Sequence, residues 1–262
     1  MDIIKSRDNL QVKQARKLRE KKYRTESKKF LIEGFRFVME AVNSDFTVTD
    51  IFLTDSFYDR WKRSLMKERI ENMPSVYIVT DEVLRSISST ENPQGIVAVV
   101  KCTRLKPKKA AEGFYLLLDR IQDPGNMGTI IRSSHAAGAQ GIIITKGTVD
   151  IYNEKVLRAT MGSIFYIPII QDTDLKQVKA LREEGFKLVA SSLDGDTNFY
   201  NINLKQKIIF ALGNEANGLS EHIEEMADIK VRIPMPGKAE SLNAAVAASV
   251  MMFEAVRQNL KF

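Results

Sequence analysis

Cysteine and histidine are scarce: the 262 residues hold one cysteine, Cys102, and two histidines, His135 and His222. A lone cysteine forms no intrachain disulfide, which points to a reducing compartment. With the histidines far apart, a zinc site is not expected, although carboxylates alone could still hold magnesium. No apolar run reaches the ~20 residues of a membrane span. The opening stretch, MDIIKSRDNLQVKQARKLRE, has no apolar segment behind its basic residues, so it does not read as a signal peptide. The expectation is a cytoplasmic chain with no membrane partner. GxGxxG is missing throughout, which counts against a dinucleotide-binding enzyme, and no glycine-rich loop ends in the Lys-Ser/Thr of a Walker A motif. Hydrophobic residues at 44% and charged residues at 27% exclude a disordered chain.

What the sequence does have is unevenly placed positive charge. The net charge is +6. Residues 1–36 carry twelve Lys+Arg against five Asp+Glu, and KCTRLKPKK at 101–109 carries five basic residues and no acidic one. Both other stretches, 37–100 and 110–262, are net negative. Such clustering is the electrostatic footprint of a polyanion binder. Lys17, Lys21, Lys22 and Arg24 are the candidate contacts to such a polyanion. The competing reading is a solvated helix face.

The chain divides at the charged, proline-containing segment after residue 100. Residues 1–100 form a small α/β domain with a basic N-terminal arm, 101–111 a linker and 112–262 a second domain. In the first domain, Asn9 to Ala41 reads as helical, followed by strands at Asp50–Thr54 and Val76–Val79, a helical Val83–Ile87 and a strand at Gly95–Val100. In the second, Phe114–Leu118, Gly141–Thr145, Lys187–Ala190, Ile208–Leu212 and Ile229–Ile233 read as strands. Asn126–Ala137, Lys155–Gly162, Leu175–Glu184 and Ser241–Leu260 read as helices. Near-continuous apolar strands alternating with helices imply a mainly parallel sheet covered on both faces.

Three loops after strands carry the chemistry, since ligands of open α/β sheets bind at the carboxyl ends of strands. In the first, Pro124-Gly125 makes a turn, Asn126 can cap the helix that follows and Arg132 lies further along it. In the second, Gly213 and Gly218 bracket a polar loop carrying Glu215; close backbone approach to a ligand explains glycines there. The third is Ile233-Pro-Met-Pro, running through Ser241-Leu-Asn243 into a small-residue helix, Ala244–Ser249.

In order and spacing these loops resemble the three motifs of the SpoU (TrmH-type) family of RNA ribose 2′-O-methyltransferases, in the SPOUT superfamily. Asn126…Arg132 matches the first, Leu212-Gly-Asn-Glu-Ala-Asn-Gly218 the second and Ile233-Pro-Met-Pro…Ser241-Leu-Asn243 the third. The resemblance covers about residues 112–260. Glu33-Gly34 and Asn92-Pro-Gln-Gly-Ile96 are similar to the L30e-like substrate-binding extension of the rRNA-modifying members.

The resemblance implies an α/β SPOUT domain with a deep trefoil knot, working as a homodimer. It implies methyl transfer from S-adenosylmethionine to a ribose 2′-hydroxyl of structured RNA, ribosomal RNA before transfer RNA; no DNA partner is expected. Carried over by position, the cofactor contacts are Leu212, Gly213, Asn214, Ile233, Met235 and Leu242, with Ser191 as a further one. Arg132 matches the family's catalytic arginine. A guanidinium is a poor proton acceptor, so gripping a phosphate and stabilising the emerging oxyanion suits it better than acting as base. Asn126, Glu215, Ser241 and Asn243 would hold Arg132 and the ribose. The alternatives are a non-catalytic RNA-binding protein that keeps the fold, and a tRNA-directed methyltransferase.

Overall fold

The computed structural model describes residues 3–62, 75–107, 113–237 and 239–260. Two compact units divide it: residues 1–103 with Tyr152–Phe165, and residues 104–151 with 166–262. The expected split is corrected in one respect, because Tyr152–Phe165 groups with the first unit. The reason is aromatic. Tyr152 stacks on Phe30 at 4.4 Å, and Phe165 lies 5.3 Å from Phe37 and 5.1 Å from Phe46. The change from first to second unit falls inside the expected 101–111 linker, of which 108–111 lie outside the described residues.

In the first unit the expected long helix from Asn9 to Ala41 breaks into four elements. They are α1 (Leu10–Lys17), α2 (Lys21–Ser27), β1 (Lys29–Glu33) and α3 (Phe35–Val42). Asn9 starts α1 by accepting the N–H groups of Gln11 and Val12. Lys28, at φ +52°, ends α2, and Gly34, at φ +95°, turns β1 into α3. Between those two left-handed residues, Lys-Phe-Leu-Ile-Glu buries alternate side chains, as a strand does. There follow β2 (Val48–Thr54), α4 (Asp55–Lys62), β3 (Val76–Val79), α5 (Asp81–Ile87) and β4 (Ile96–Lys101). The sheet order is β1-β4-β2-β3, antiparallel except for β2 beside β3. Val12, Ala15 and Leu18 of the α1 region meet Val83, Leu84 and Ile87 of α5 over Phe52, Val97 and Val99. Glu33 accepts hydrogen bonds from Ser88 Oγ, at 2.7 Å, and from the Ser89 N–H and Thr90 hydroxyl, which ties the end of β1 to the loop leading into Asn92–Ile96. The segment closing this unit, Tyr152–Phe165, holds α7 (Glu154–Thr160), given below in chain order.

The second unit runs β5 (Phe114–Leu118), then, with the first-unit segment numbered in chain order, helix α6 (Pro124–Ala136), β6 (Gly141–Ile144), α7 (Glu154–Thr160), β7 (Ile169–Gln171), α8 (Lys176–Glu183), β8 (Lys187–Ser191), β9 (Thr197–Asn198), β10 (Ile208–Leu212), α9 (Glu221–Met226), β11 (Ile229–Arg232) and α10 (Ala244–Asn259). Of these, only α7 belongs to the first unit. The strands form one sheet, β7-β6-β5-β10-β8-β11-β9, in which every neighbouring pair is parallel. Strands β5 and β10 are buried over their whole length, which is why they read as continuous apolar runs. One face packs Leu175, Val178, Leu181 and Ile223 on Tyr115, Leu117 and Ile209. On the other, α6 and α10 lie side by side, joined by a Ser249–Ser133 hydroxyl hydrogen bond of 3.0 Å. The chain lays β6 and β7 on one side of β5, β8 and β9 on the other, then inserts β10 directly beside β5. The carboxyl ends of β5 and β10 therefore meet where strand order reverses, the ordinary place for a ligand.

Candidate active site

The first loop leaves β5 at Asp119. Its helix is capped by Asp123, not Asn126: Asp123 Oδ1 accepts the Asn126 N–H at 2.7 Å, with Pro124 in the first turn. Proline suits that position because its missing N–H would be unpaired there anyway. The correction frees the Asn126 side chain. Its Nδ2 donates to Glu215 Oε1 of the second loop at 2.7 Å, and its Oδ1 accepts from Asn243 Nδ2 of the third at 2.8 Å. Asn243 is itself fixed, since its Oδ1 caps α10 by accepting the N–H groups of Ala245 and Val246. That cap also explains why α10 starts at Ala244 and not at Ser241. One hydrogen-bonded chain of side chains thus joins all three loops.

The second loop closes on itself. Asn214 and Gly218 exchange backbone hydrogen bonds of 2.9 Å, and Asn214 Oδ1 accepts the N–H groups of Ala216 and Asn217. Asn214 Nδ2 reaches the Arg120 carbonyl at 3.0 Å, anchoring this loop to the first. A Cβ on Gly213 would stand 2.0 Å from the Gly218 carbonyl carbon and 2.1 Å from the Leu219 nitrogen. The close approach expected of Gly213 is therefore to its own loop.

A cavity of about 540 Å³ opens between the second and third loops and the end of β8. Ser191, Leu212, Gly213, Asn214, Ile233, Met235 and Leu242 all line it, together with Glu215, Ser241 and Asn243. Sequence reasoning missed Leu193, Asp194, Glu224 and Arg232 on its wall. Their only signal is position after β8, in α9 and at the end of β11, because folding alone gathers them. The lining pairs apolar residues, including the exposed Leu193, with the carboxylates Asp194, Glu215 and Glu224 and with polar Ser191, Ser241 and Asn243. That combination suits an amphipathic ligand with an apolar part, hydrogen-bonding groups and positive charge. Arg132 does not line the cavity. It lies exposed on α6, with no hydrogen-bond or ion-pair partner among the described residues, so its guanidinium is available to an anion. Among those residues no cluster of His, Cys, Asp and Glu could hold a metal ion.

In the first unit, Lys17, Lys21 and Lys22 are exposed, and the ammonium groups of Lys17 and Lys22 lie 5.3 and 6.0 Å from the Tyr23 ring. Arg24 is a correction. It is 7% exposed, and its Nη1 donates to the carbonyls of Leu18 and Arg19 at 2.9 and 2.7 Å. This arginine ties off the end of α1 and is not an RNA contact. Arg24→Ala should cost about 1–3 kcal/mol of stability, the range for leaving a buried hydrogen-bonding group without its partner. Chemical denaturation checks this, and an unchanged midpoint would contradict it.

Residues 113–253 match the SpoU rRNA Methylase family, and residues 9–98 match the MRM3-like substrate binding domain. The chain is similar to the 23S rRNA (guanosine(2553)-2′-O)-methyltransferase RlmP of Bacillus subtilis (strain 168), with 34% identity covering 97% of this chain and 98% of that protein. It is also similar to the AdoMet-bound rRNA methyltransferase of Sinorhizobium meliloti, at 32% identity and a TM-score of 0.87 over 99% of both chains. A third likeness is to the SpoU methyltransferase AviRb of Streptomyces viridochromogenes in complex with AdoMet. There the identity is 30% and the TM-score 0.84, covering 95% of this chain and 98% of that one.

Proposed function

The chain belongs to the SpoU rRNA Methylase family, and we propose that its three-loop site transfers a methyl group from S-adenosylmethionine to a ribose 2′-hydroxyl of ribosomal RNA. The observation that carries this reading is the Asn243–Asn126–Glu215 chain, which locks the three loops together beside the cavity. The residues fit the cofactor: Leu212, Ile233, Met235 and Leu242 supply apolar surface, while Glu215, Asp194 and Glu224 offer carboxylates to hydroxyls and positive charge. Bound there, S-adenosylmethionine supplies an electrophilic methyl group.

The chain's own residues hold the nucleotide. Arg132 grips a phosphate beside the target ribose and stabilises negative charge as it develops on the 2′-oxygen. Asn126, fixed on both sides, orients the hydroxyl, and Ser241 and Asn243 close the same edge of the cavity. Pre-set orientation of this kind contributes much of a bimolecular rate enhancement. The hydroxyl proton goes to the RNA phosphate or to a water.

Lys17, Lys21 and Lys22 add affinity for RNA. Replacing all three with Ala should weaken RNA binding and lower the log–log salt slope by about 0.7 for each lost contact on a single strand. Cofactor affinity should stay as it was. Wild-type affinity and slope in a salt-titrated filter-binding series would leave these lysines as a solvated face only.

The working unit is a homodimer joined through α10. Within the small-residue stretch Ala244–Ser249, Ala245 and Ala248 are buried within the chain, at 4% and 0% exposure. What stands open is a stripe on the other side: Val246 and Phe253 are 48% and 49% exposed, with half-buried Val250 between them at helical spacing. Val246→Glu with Phe253→Glu should convert a dimer to a monomer in sedimentation at micromolar concentration. A native protein that sediments as a monomer there would contradict it. Late insertion of β10 beside β5, followed by the return of α10 over that face, supports the trefoil knot. No helix among the described residues is long and apolar enough to cross a membrane, and an rRNA substrate is met in the cytoplasm.

A further inference from the structure

A second cavity, of about 310 Å³, lies at the carboxyl ends of β5, β6 and β7, and none of the residues assigned above to catalysis or to the cofactor lines it. Arg120, Lys146, Thr173 and His222 face into it. We propose that it is a phosphate subsite that holds the backbone of the substrate RNA away from the target ribose, with Arg120 and Lys146 as its cationic grip; it rests on the RNA-substrate reading above.

Two cations and two carboxylates stand on the wall, and it is the cations that keep donors to spare for an anion. The two carboxylates on the wall are already engaged. Asp119 is 2% exposed, with Oδ1 accepting the Thr145 hydroxyl at 2.8 Å and Oδ2 accepting the Ser220 N–H at 2.8 Å. Asp174 pairs with Lys176 at 3.6 Å. The donors are less committed. Lys146 and His222 are exposed, with no hydrogen-bond or ion-pair partner among the described residues. Arg120 approaches Asp119 Oδ2 only at 3.4 Å, and its buried Nε has no hydrogen-bond partner among the described residues.

Arg120 is also held in a costly conformation. Its φ is +56°, in the left-handed region that side chains other than glycine seldom adopt. Backbone kept there concentrates at ligand sites, because surrounding bonds must over-determine it. Those bonds are present: the Arg120 N–H donates to Thr145 Oγ1 at 3.1 Å, and its carbonyl accepts from Asn214 Nδ2 at 3.0 Å. The second of these comes from Asn214 of the loop lining the first cavity, so one hydrogen bond links the two cavities. A strand of RNA gripped at Arg120 and Lys146 is thereby registered against the loop that carries Asn214. Phosphate contacts fix register without reading sequence, which is the task a ribose-directed enzyme sets.

The test measures rRNA-fragment binding across a salt series for Lys146→Ala, Arg120→Gly and Lys205→Ala, with S-adenosylmethionine affinity measured by calorimetry on each. Glycine at 120 removes the guanidinium and accepts the positive φ. Lys205, exposed elsewhere in the same unit, controls for bulk charge. Lys146→Ala and Arg120→Gly should each raise the RNA dissociation constant roughly tenfold and lower the salt slope by about 0.7, with cofactor affinity unchanged and Lys205→Ala like the native protein. A native slope in Lys146→Ala, or an equal loss in Lys205→Ala, overturns the proposal. Inorganic phosphate titrated at constant ionic strength separates the sources. If it binds through Lys146 yet leaves RNA affinity untouched, the site serves free phosphate and the assignment to RNA falls. A native protein that binds rRNA with Lys146-dependent slope but transfers no methyl group overturns the enzymatic reading and upholds this one.

Discussion

Arg132→Ala should bind S-adenosylmethionine as tightly as the native protein while transferring methyl groups about 10²–10³-fold more slowly, the usual loss when one donor to a developing oxyanion is removed. The separation follows from position. Arg132 is absent from the cavity wall and lies exposed on α6, so its truncation removes nothing that a cofactor touches. It is also distant in sequence from the α6 cap, where Asp123 holds the first turn, so the helix should keep its place. Lysine at 132 should restore part of the rate, since a point charge replaces the charge but not the planar fork. Single-turnover transfer with saturating cofactor checks this. Native turnover in Arg132→Ala would remove the residue from the mechanism.

The effect at Gly213 should fall on binding instead. Alanine there would put its Cβ 2.0 Å from the Gly218 carbonyl carbon, and the neighbouring atoms are backbone, which cannot swing aside. Relief requires opening the Asn214–Gly218 pair of backbone hydrogen bonds and with it the wall of the cavity. Gly213→Ala should lose at least about tenfold in cofactor affinity, equivalent to ~1.4 kcal/mol, and Gly213→Val more. Gly218→Ala is the informative contrast. Its added Cβ meets nothing within 4 Å, and its difficulty is the positive φ of +65°, a cost of about 1–2 kcal/mol. Calorimetric titration distinguishes them, and native affinity in a folded Gly213→Ala would place the cofactor elsewhere.

Much of the second unit was legible in the sequence because a parallel sheet buried on both faces writes its strands as unbroken apolar runs. Phe114–Leu118 and Ile208–Leu212 are such runs, and the structure places both strands at those residues. The candidate cofactor residues came instead from the resemblance to the SpoU motifs, and the structure gathers them around one cavity. Less legible was anything decided by a single backbone angle or by distant chain. Lys28 in the left-handed region turns a basic helix into β1, yet nothing distinguishes it from Lys21 or Lys22 as a residue type. Arg24 belongs to a basic run, and only its distance from the end of α1 makes it a buried cap and not a surface charge. Asp123 and Asn126 both suit a helix start by composition. The proline at 124 settles the matter in favour of Asp123, and Asn126 is then left to bridge the other loops. The aromatic grouping of Tyr152 and Phe165 with Phe30 joins residues more than a hundred positions apart, beyond the reach of any local pattern.

The most direct measurement incubates the purified protein with ribosomal RNA and S-adenosylmethionine labelled on its methyl group, then hydrolyses the RNA in alkali. A methylated 2′-oxygen cannot attack the neighbouring phosphate, so methyl transfer to ribose should leave the label in alkali-resistant dinucleotides, at one or a few positions. Label recovered in mononucleotides carrying a methylated base, or no label in the RNA at all, would contradict the account.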